Sequence, residues 1–247
     1  MLKKQLLVVA TIFLISSCSS NDENMELITE LDGDLEINSL EDLEDPVIKG
    51  YKTINGNLII NYLDDVEDLN ALENLEVING GVFIRYNDNL KSLKGLENIT
   101  ELDFLQIEYN LELLSLSGME KLTSIANNLS ISQNRKLKTL NALYSLTKIG
   151  TQFFLGNNGA LTSISSLENL ETIPQIIILN NINLVSLNGL EGISSSDIIS
   201  ITSNDKLINF CSLVQFAQET SQTINYSARF NNFNPTLDDL INNNCSN

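Results

Sequence analysis

Residues 82–102 read VFIRYNDNLKSLKGLENITEL, and their spacing decides the fold. With Asn87 as anchor, Val82 and Ile84 stand five and three residues before it. Leu90, Leu93, Leu96, Ile99 and Leu102 follow at intervals of three. The pattern recurs around Asn110, Asn134, Asn158, Asn181 and Asn204, and dissolves beyond Phe210. Counting backwards, Leu63 takes the anchor position behind Leu58 and Ile60, and Leu40 takes it behind Leu35 and Ile37. Successive anchors lie 23 or 24 residues apart throughout. A fixed period of that length marks an array of stacked structural repeats.

The physics of the spacing says what each repeat is. An L-x-I pair has period two, so both side chains enter one face of a short strand. Leucines at every third residue drift around a 3.6-residue helix and cannot form one stripe on it. They suit a path that bends every three residues and turns the same side chain inward each time. Each repeat is then one coil of a single-domain, right-handed, mainly β solenoid of about eight coils, its strand parallel to the next. The anchor asparagines are expected to turn inward at the strand ends and bond the bends in a ladder, a structural role. As turn residues alone they would occupy the same places.

Open ends of such a stack expose core and strand edges, so both need caps. At the front, acidic residues 26–45 can wrap Leu31, Leu35 and Ile37. At the back, a short helix is expected over Leu213–Gln218, a last strand over Ile224–Tyr226, and a helical turn over Thr236–Asn242 after Asn234-Pro235.

The N-terminus reads as an export signal. Lys3 and Lys4 precede a short apolar run, Leu6–Leu14, too short to span a bilayer. The segment Leu14-Ile15-Ser16-Ser17-Cys18 resembles the lipobox of bacterial lipoproteins, which implies cleavage before Cys18 and its acylation; the alternative is an ordinary secretory signal with a chance cysteine. The expected organisation is a signal peptide at 1–17, an acylated Cys18 and tether over 18–30, the solenoid over 31–210 and a cap over 211–247. The implied location is the outer membrane or cell surface, reached through the lipid anchor; the acidic residues just after Cys18 resemble surface-export signals of Bacteroidetes lipoproteins. In an oxidising compartment Cys211 and Cys245 are natural disulfide partners, the bond contributing about 3–4 kcal/mol. Two free thiols are the alternative.

Composition removes several function classes. The chain has no histidine, so His-dependent nucleophile systems, His general bases and His metal ligands are excluded. With 14 Lys+Arg against 32 Asp+Glu the net charge is −18, and losing Lys3 and Lys4 with residues 1–17 makes it −20. A nucleic-acid partner is therefore not expected, and a monomer is. No cofactor is expected either.

The full pattern, G-x-L-x-I-x-x-N-x-x-L-x-x-L-x-x-L-x-x-I, resembles the receptor L domain, the leucine-rich-repeat-like β-helix of the insulin and epidermal growth factor receptors, over residues 31–210. Similar repeats occur in secreted and lipid-anchored bacterial proteins. The resemblance implies a ligand-presenting scaffold. It departs in lacking a cysteine-rich module, a kinase and a transmembrane helix, so receptor signalling is not implied.

Specificity falls to outward positions. Tyr62, Tyr86 and Tyr109 precede three successive anchors, and Phe83 stands beside Ile59 of the neighbouring coil. Stacked about 4.8 Å apart, the tyrosines make a platform for a sugar or a peptide, or an aromatic ladder that only stabilises the coils. Asp64, Asp65, Glu67 and Asp68 are a weak Ca²⁺ candidate without the alternating spacing of a calcium loop, and read better as a solvated face. Asp64 and Asp65, the paired carboxylates nearest the tyrosines, are adjacent and diverge, which argues against a glycosidase dyad. Arg135, Lys136 and Lys138 read as ordinary surface. The expected function is non-catalytic binding or adhesion to protein or glycan. The alternatives are a β-helical polysaccharide-active enzyme, disfavoured because no interval exceeds 24 residues and no inserted loop can build a cleft, and a purely structural envelope role.

Overall fold

The paired aliphatic positions behave as period two requires: Leu58 and Ile60, Leu105 and Ile107, and Ile199 and Ile201 are all fully buried, with half-buried residues between them. The computed structural model describes residues 28–220 and 224–247. The expected signal peptide (1–17), Cys18 and the tether as far as residue 27 lie outside the described residues. Mainly β, the fold has parallel sheets and few helices. Among the described residues the largest sheet has nine strands: β1 (Leu35–Ile37), β2 (Leu58–Asn61), β3 (Val82–Arg85), β4 (Leu105–Glu108), β5 (Asn128–Ser132), β6 (Gln152–Gly156), β7 (Gln175–Leu179), β8 (Ile198–Thr202) and β9 (Asn225–Arg229). Spatial order follows chain order and every pair is parallel. Two three-stranded parallel sheets of two-residue strands, one running Glu30 to Ile78 and the other Glu101 to Ile149, line another side of the repeats.

The asparagines join these strands through the interior. Asn87, Asn110, Asn134, Asn158, Asn181 and Asn204 are all fully buried. The Asn110 Nδ2 donates to Asn134 Oδ1 at 3.2 Å and to the Ile84 carbonyl at 3.0 Å. Its Oδ1 accepts from Asn87 N at 3.1 Å and Asn87 Nδ2 at 2.9 Å. The same set repeats along the row, so each amide satisfies backbone that the bend leaves open. Leu63 starts the row by donating its N–H to Asn87 Oδ1.

The anchor pattern continues past the point where the sequence loses it. Asn204 N and Nδ2 both donate to Asn231 Oδ1 at 3.0 Å. Asn231 then bonds Asn234, which ends the row. This interval is 27 residues, because the chain inserts α3 (Val214–Glu219) before returning as β9, which runs three residues beyond the expected Tyr226.

At the other end Leu40 is not an anchor. It is 46% exposed and opens α1 (Leu40–Glu44). The physical reason lies just before it: Ser39 Oγ accepts from Asp42 N while Asp42 Oδ2 accepts from Asn38 N, a reciprocal cap that starts a helix where a bend was expected. Asp45 caps α2 (Pro46–Gly50) in turn, with Pro46 at its first position.

The bends after β2 to β8 close in two ways. Four repeats use a single 3-10 turn at Asn70–Leu72, Asn141–Leu143, Ser165–Leu167 and Cys211–Leu213. Three use Gly95, Gly118 and Gly189 at φ of +111°, +112° and +110°. There each glycine N–H donates to the carboxylate two residues on, Glu97, Glu120 or Glu191. A Cβ on Gly118 would drive into the Leu93 carbonyl of the preceding repeat, so this form of the bend needs glycine.

The C-terminal segment folds back over the last repeat. Cys211 and Cys245 are disulfide-bonded, Phe210 N donates to the Cys245 carbonyl at 2.8 Å, and Asn209 forms an antiparallel bridge with Ser246. Thr236 and Asp239 form a capping box on α4 (Leu237–Ile241), which buries Leu240. Tyr226 of β9 has its hydroxyl buried without a hydrogen-bond partner among the described residues. Burial first, and then the nearby Asp239 charge, hold this phenol well above its ordinary value of 10.0. The unfolded chain therefore releases the proton first, and this contribution to stability, complete below pH 10, falls as pH rises towards the folded value. Tyr226→Phe removes both the unsatisfied hydroxyl and the titration. The variant is expected to be at least as stable as the native chain at neutral pH and to lose stability less steeply above pH 10 in denaturant titrations. Parallel curves would refute this account.

Candidate functional site

The outward face of the nine-stranded sheet carries the side chains that the core does not use. At its early end the register aligns Ile59, Phe83 and Gln106 in one row and Asn61, Arg85 and Glu108 in the next. The third row is Tyr62, Tyr86 and Tyr109, one residue beyond each strand. Tyr62 and Tyr86 stack with centroids 5.3 Å apart and planes 5° from parallel; Tyr86 and Tyr109 stack at 4.9 Å and 16°. Such centroid distances are those of offset stacking, in which rings overlap like tiles and each leaves part of its face open. The three residues stay 65%, 42% and 39% exposed.

Backbone geometry makes these tyrosines unusual. Tyr62, Tyr86 and Tyr109 have φ of +62°, +57° and +56°, the left-handed region that bulky residues avoid. The equivalent positions of later repeats, Gln133, Asn157, Asn180, Ser203 and Phe230, are left-handed too, so the turn into the asparagine row imposes the conformation. Asparagine is the better residue for such a turn and stands there twice, with Asn180 Nδ2 bonding Asn157 Oδ1 at 2.7 Å. Three successive tyrosines thus stand where the backbone conformation disfavours them. Phe230, 76% exposed, is the aromatic counterpart at the far end of the same row.

Phe83 joins the aromatic face. Its ring stacks with Phe104 at 6.5 Å and lies under the Arg85 guanidinium, whose Cζ is 4.8 Å from the Phe83 centroid. Arg85 also donates to Gln106 Oε1. Sequence reading singled out the tyrosines and Phe83 but passed over Asn61, Arg85 and Gln106. The signal was available: period two puts 83 and 85 on the same face, and Arg85 and Arg229 are the only basic residues within the nine strands.

The acidic cluster stands apart from this face. Glu67 pairs with Lys91 at 2.5 Å, Asp68 Oδ1 accepts from Asn70 N, and the Asp64 carbonyl accepts from Asn89. Asp65, Glu67 and Asp68 border a shallow open depression with Leu40, Leu43 and Lys49. Among the described residues, no group of three or more Asp, Glu, His or Cys side chains is placed to hold a metal ion, this cluster included. Of the basic spot, Lys136 pairs with Glu112 at 2.5 Å.

Residues 51–123 match the family model of the receptor L domain. This stretch of the chain is receptor L-domain-like. No curated protein and no solved structure matches the chain. The receptor L domain match contains the whole tyrosine row, together with Phe83, Phe104 and Arg85.

Proposed function

We propose that this protein is a non-catalytic binding module that presents the outward face of its large sheet to a ligand. The observation that carries the reading is the stack of Tyr62, Tyr86 and Tyr109, three partly exposed rings held in a backbone conformation that disfavours tyrosine. Receptor L domains are ligand-binding modules, and the match over these residues supports the same use here. In this reading residues 31–210 form one right-handed solenoid of about eight coils, with 211–247 as a helical cap carrying a ninth strand. Residues 1–17 are a cleaved signal peptide, Cys18 is acylated, and the monomeric chain stands on the outer membrane or cell surface. Protease shaving of intact cells followed by membrane fractionation tests that placement: a chain that resists shaving and is recovered outside the outer-membrane fraction contradicts it.

The binding reading is tested with the triple variant Tyr62→Ser, Tyr86→Ser, Tyr109→Ser on an array of envelope and plant glycans. Serine removes the stacking surface while tolerating the left-handed backbone, as Ser203 does at the same position. The expected result is loss of glycan signals seen with the native chain and little change in Tm. Unchanged binding with a collapsed Tm would show the row to be a structural ladder.

A further inference from the structure

The tyrosine row lies beside the one cation of the early sheet face, and its surroundings point to a particular ligand. Arg85 sits in a chain with 32 acidic residues, yet among the described residues no carboxylate lies within ion-pair distance of it. Its register neighbour Glu108 turns away and accepts instead from Ser130 Oγ at 3.0 Å. Phe83 and Gln106 hold the guanidinium in place, and the buried Arg85 Nε has no hydrogen-bond partner among the described residues. On the other side Asn61 Oδ1 is likewise buried and unpartnered. Nε is closed off from a ligand, but Nη1 is not buried and makes no hydrogen bond among the described residues, so a guanidinium fixed by a ring and an amide keeps donors there for a carboxylate or another planar anion.

The spacing of the row distinguishes a sugar chain from a peptide. Side chains on one face of an extended peptide recur at about 6.6 Å, twice the strand rise. The tyrosine centroids recur at 5.3 and 4.9 Å, which suits the pyranose repeat of an extended β-linked glycan running across the strands. The high negative charge of the chain repels a polyanion, so one carboxylate among neutral sugars suits this face better than a run of them. Resting on the binding reading above, we infer that the ligand is a β-linked glycan bearing an isolated uronic acid. Its pyranose rings lie on Tyr62, Tyr86 and Tyr109, and its carboxylate is bound by Arg85.

The probe is a xylo-oligosaccharide carrying one glucuronic acid branch, compared by calorimetry with its unbranched parent on the purified full-length chain. The branched sugar is expected to bind about tenfold tighter or more, as one charge-assisted hydrogen-bonded pair provides. Arg85→Gln should abolish that preference and leave the unbranched affinity in place. Arg85→Lys should retain part of it, and Glu108→Gln, which removes the carboxylate of the register neighbour, should preserve or increase it. Equal affinity for the two sugars on the native chain overturns the role of Arg85 while leaving the tyrosine reading standing. Failure to bind either sugar, with an acidic peptide bound through Arg85 instead, overturns the glycan assignment. A preference that survives Arg85→Gln places the carboxylate elsewhere and overturns the inference equally.

Discussion

Replacing Asn110 by alanine is expected to cost about 2–6 kcal/mol of unfolding free energy, the sum for two buried backbone groups stripped of their side-chain partner at about 1–3 kcal/mol each. Asn87 N loses the Asn110 oxygen and the Ile84 carbonyl loses its side-chain donor, while Asn87 Nδ2 keeps its bond to the Ile60 carbonyl at 3.2 Å. None of these groups is near water, because Asn87 and Asn110 are fully buried and Ile84 is too. Asn134 Oδ1 suffers less, since it keeps the Asn110 backbone N–H at 3.1 Å. The comparison is Asn234→Ala at the end of the row, where the residue is exposed and water can reach the vacated bonds to Asn231. That variant should lose clearly less. Urea midpoints with unchanged slopes measure both. An Asn110→Ala loss under about 1 kcal/mol would mean that the amides merely fill the bend, and the account of the row would fail.

The row explains why so much of the architecture could be read from spacing. An amide that must meet its counterpart one repeat away tolerates little change in interval, and so leaves a visible period. Where the interval stretches to the 27 residues between Asn204 and Asn231, the geometry persists but the pattern is hidden by α3. Leu40 misleads in the opposite sense. It stands at the right interval, but the Ser39 and Asp42 cap is a local interaction that outweighs position in the repeat. The left-handed residue before each anchor was illegible for a different reason. Asn157 and Asn180 are ordinary signals for it, but tyrosine at 62, 86 and 109 is not, and composition alone cannot reveal a strained backbone.

The outward face was half legible. Stacking of Tyr62, Tyr86 and Tyr109 follows from equal intervals and parallel strands. Arg85 was not singled out, because its meaning depends on what does not pair with it: Glu108 is one repeat away in register, and only the geometry shows that carboxylate turned to Ser130.

Phe153 and Phe154 test the period-two reading most directly, because they are the same residue on opposite faces of β6. Phe153 is fully buried between Leu129 and Ile176, its register partners, and is among the largest side chains in the core. Phe153→Ala is expected to cost about 3–5 kcal/mol, from lost burial and from a cavity that two neighbouring repeats cannot close. Phe154 is half-buried on the outward face, where its ring leans over Gly156 in the space that a side chain there would fill. Phe154→Ala should cost about 1 kcal/mol or less, in line with partial burial and no internal cavity. Denaturant unfolding of the two variants side by side gives the answer. A one-residue slip of β6 exchanges the two faces, so it would make Phe154→Ala the damaging change. Equal losses from the two substitutions would contradict the alternation that places every outward residue of the candidate site.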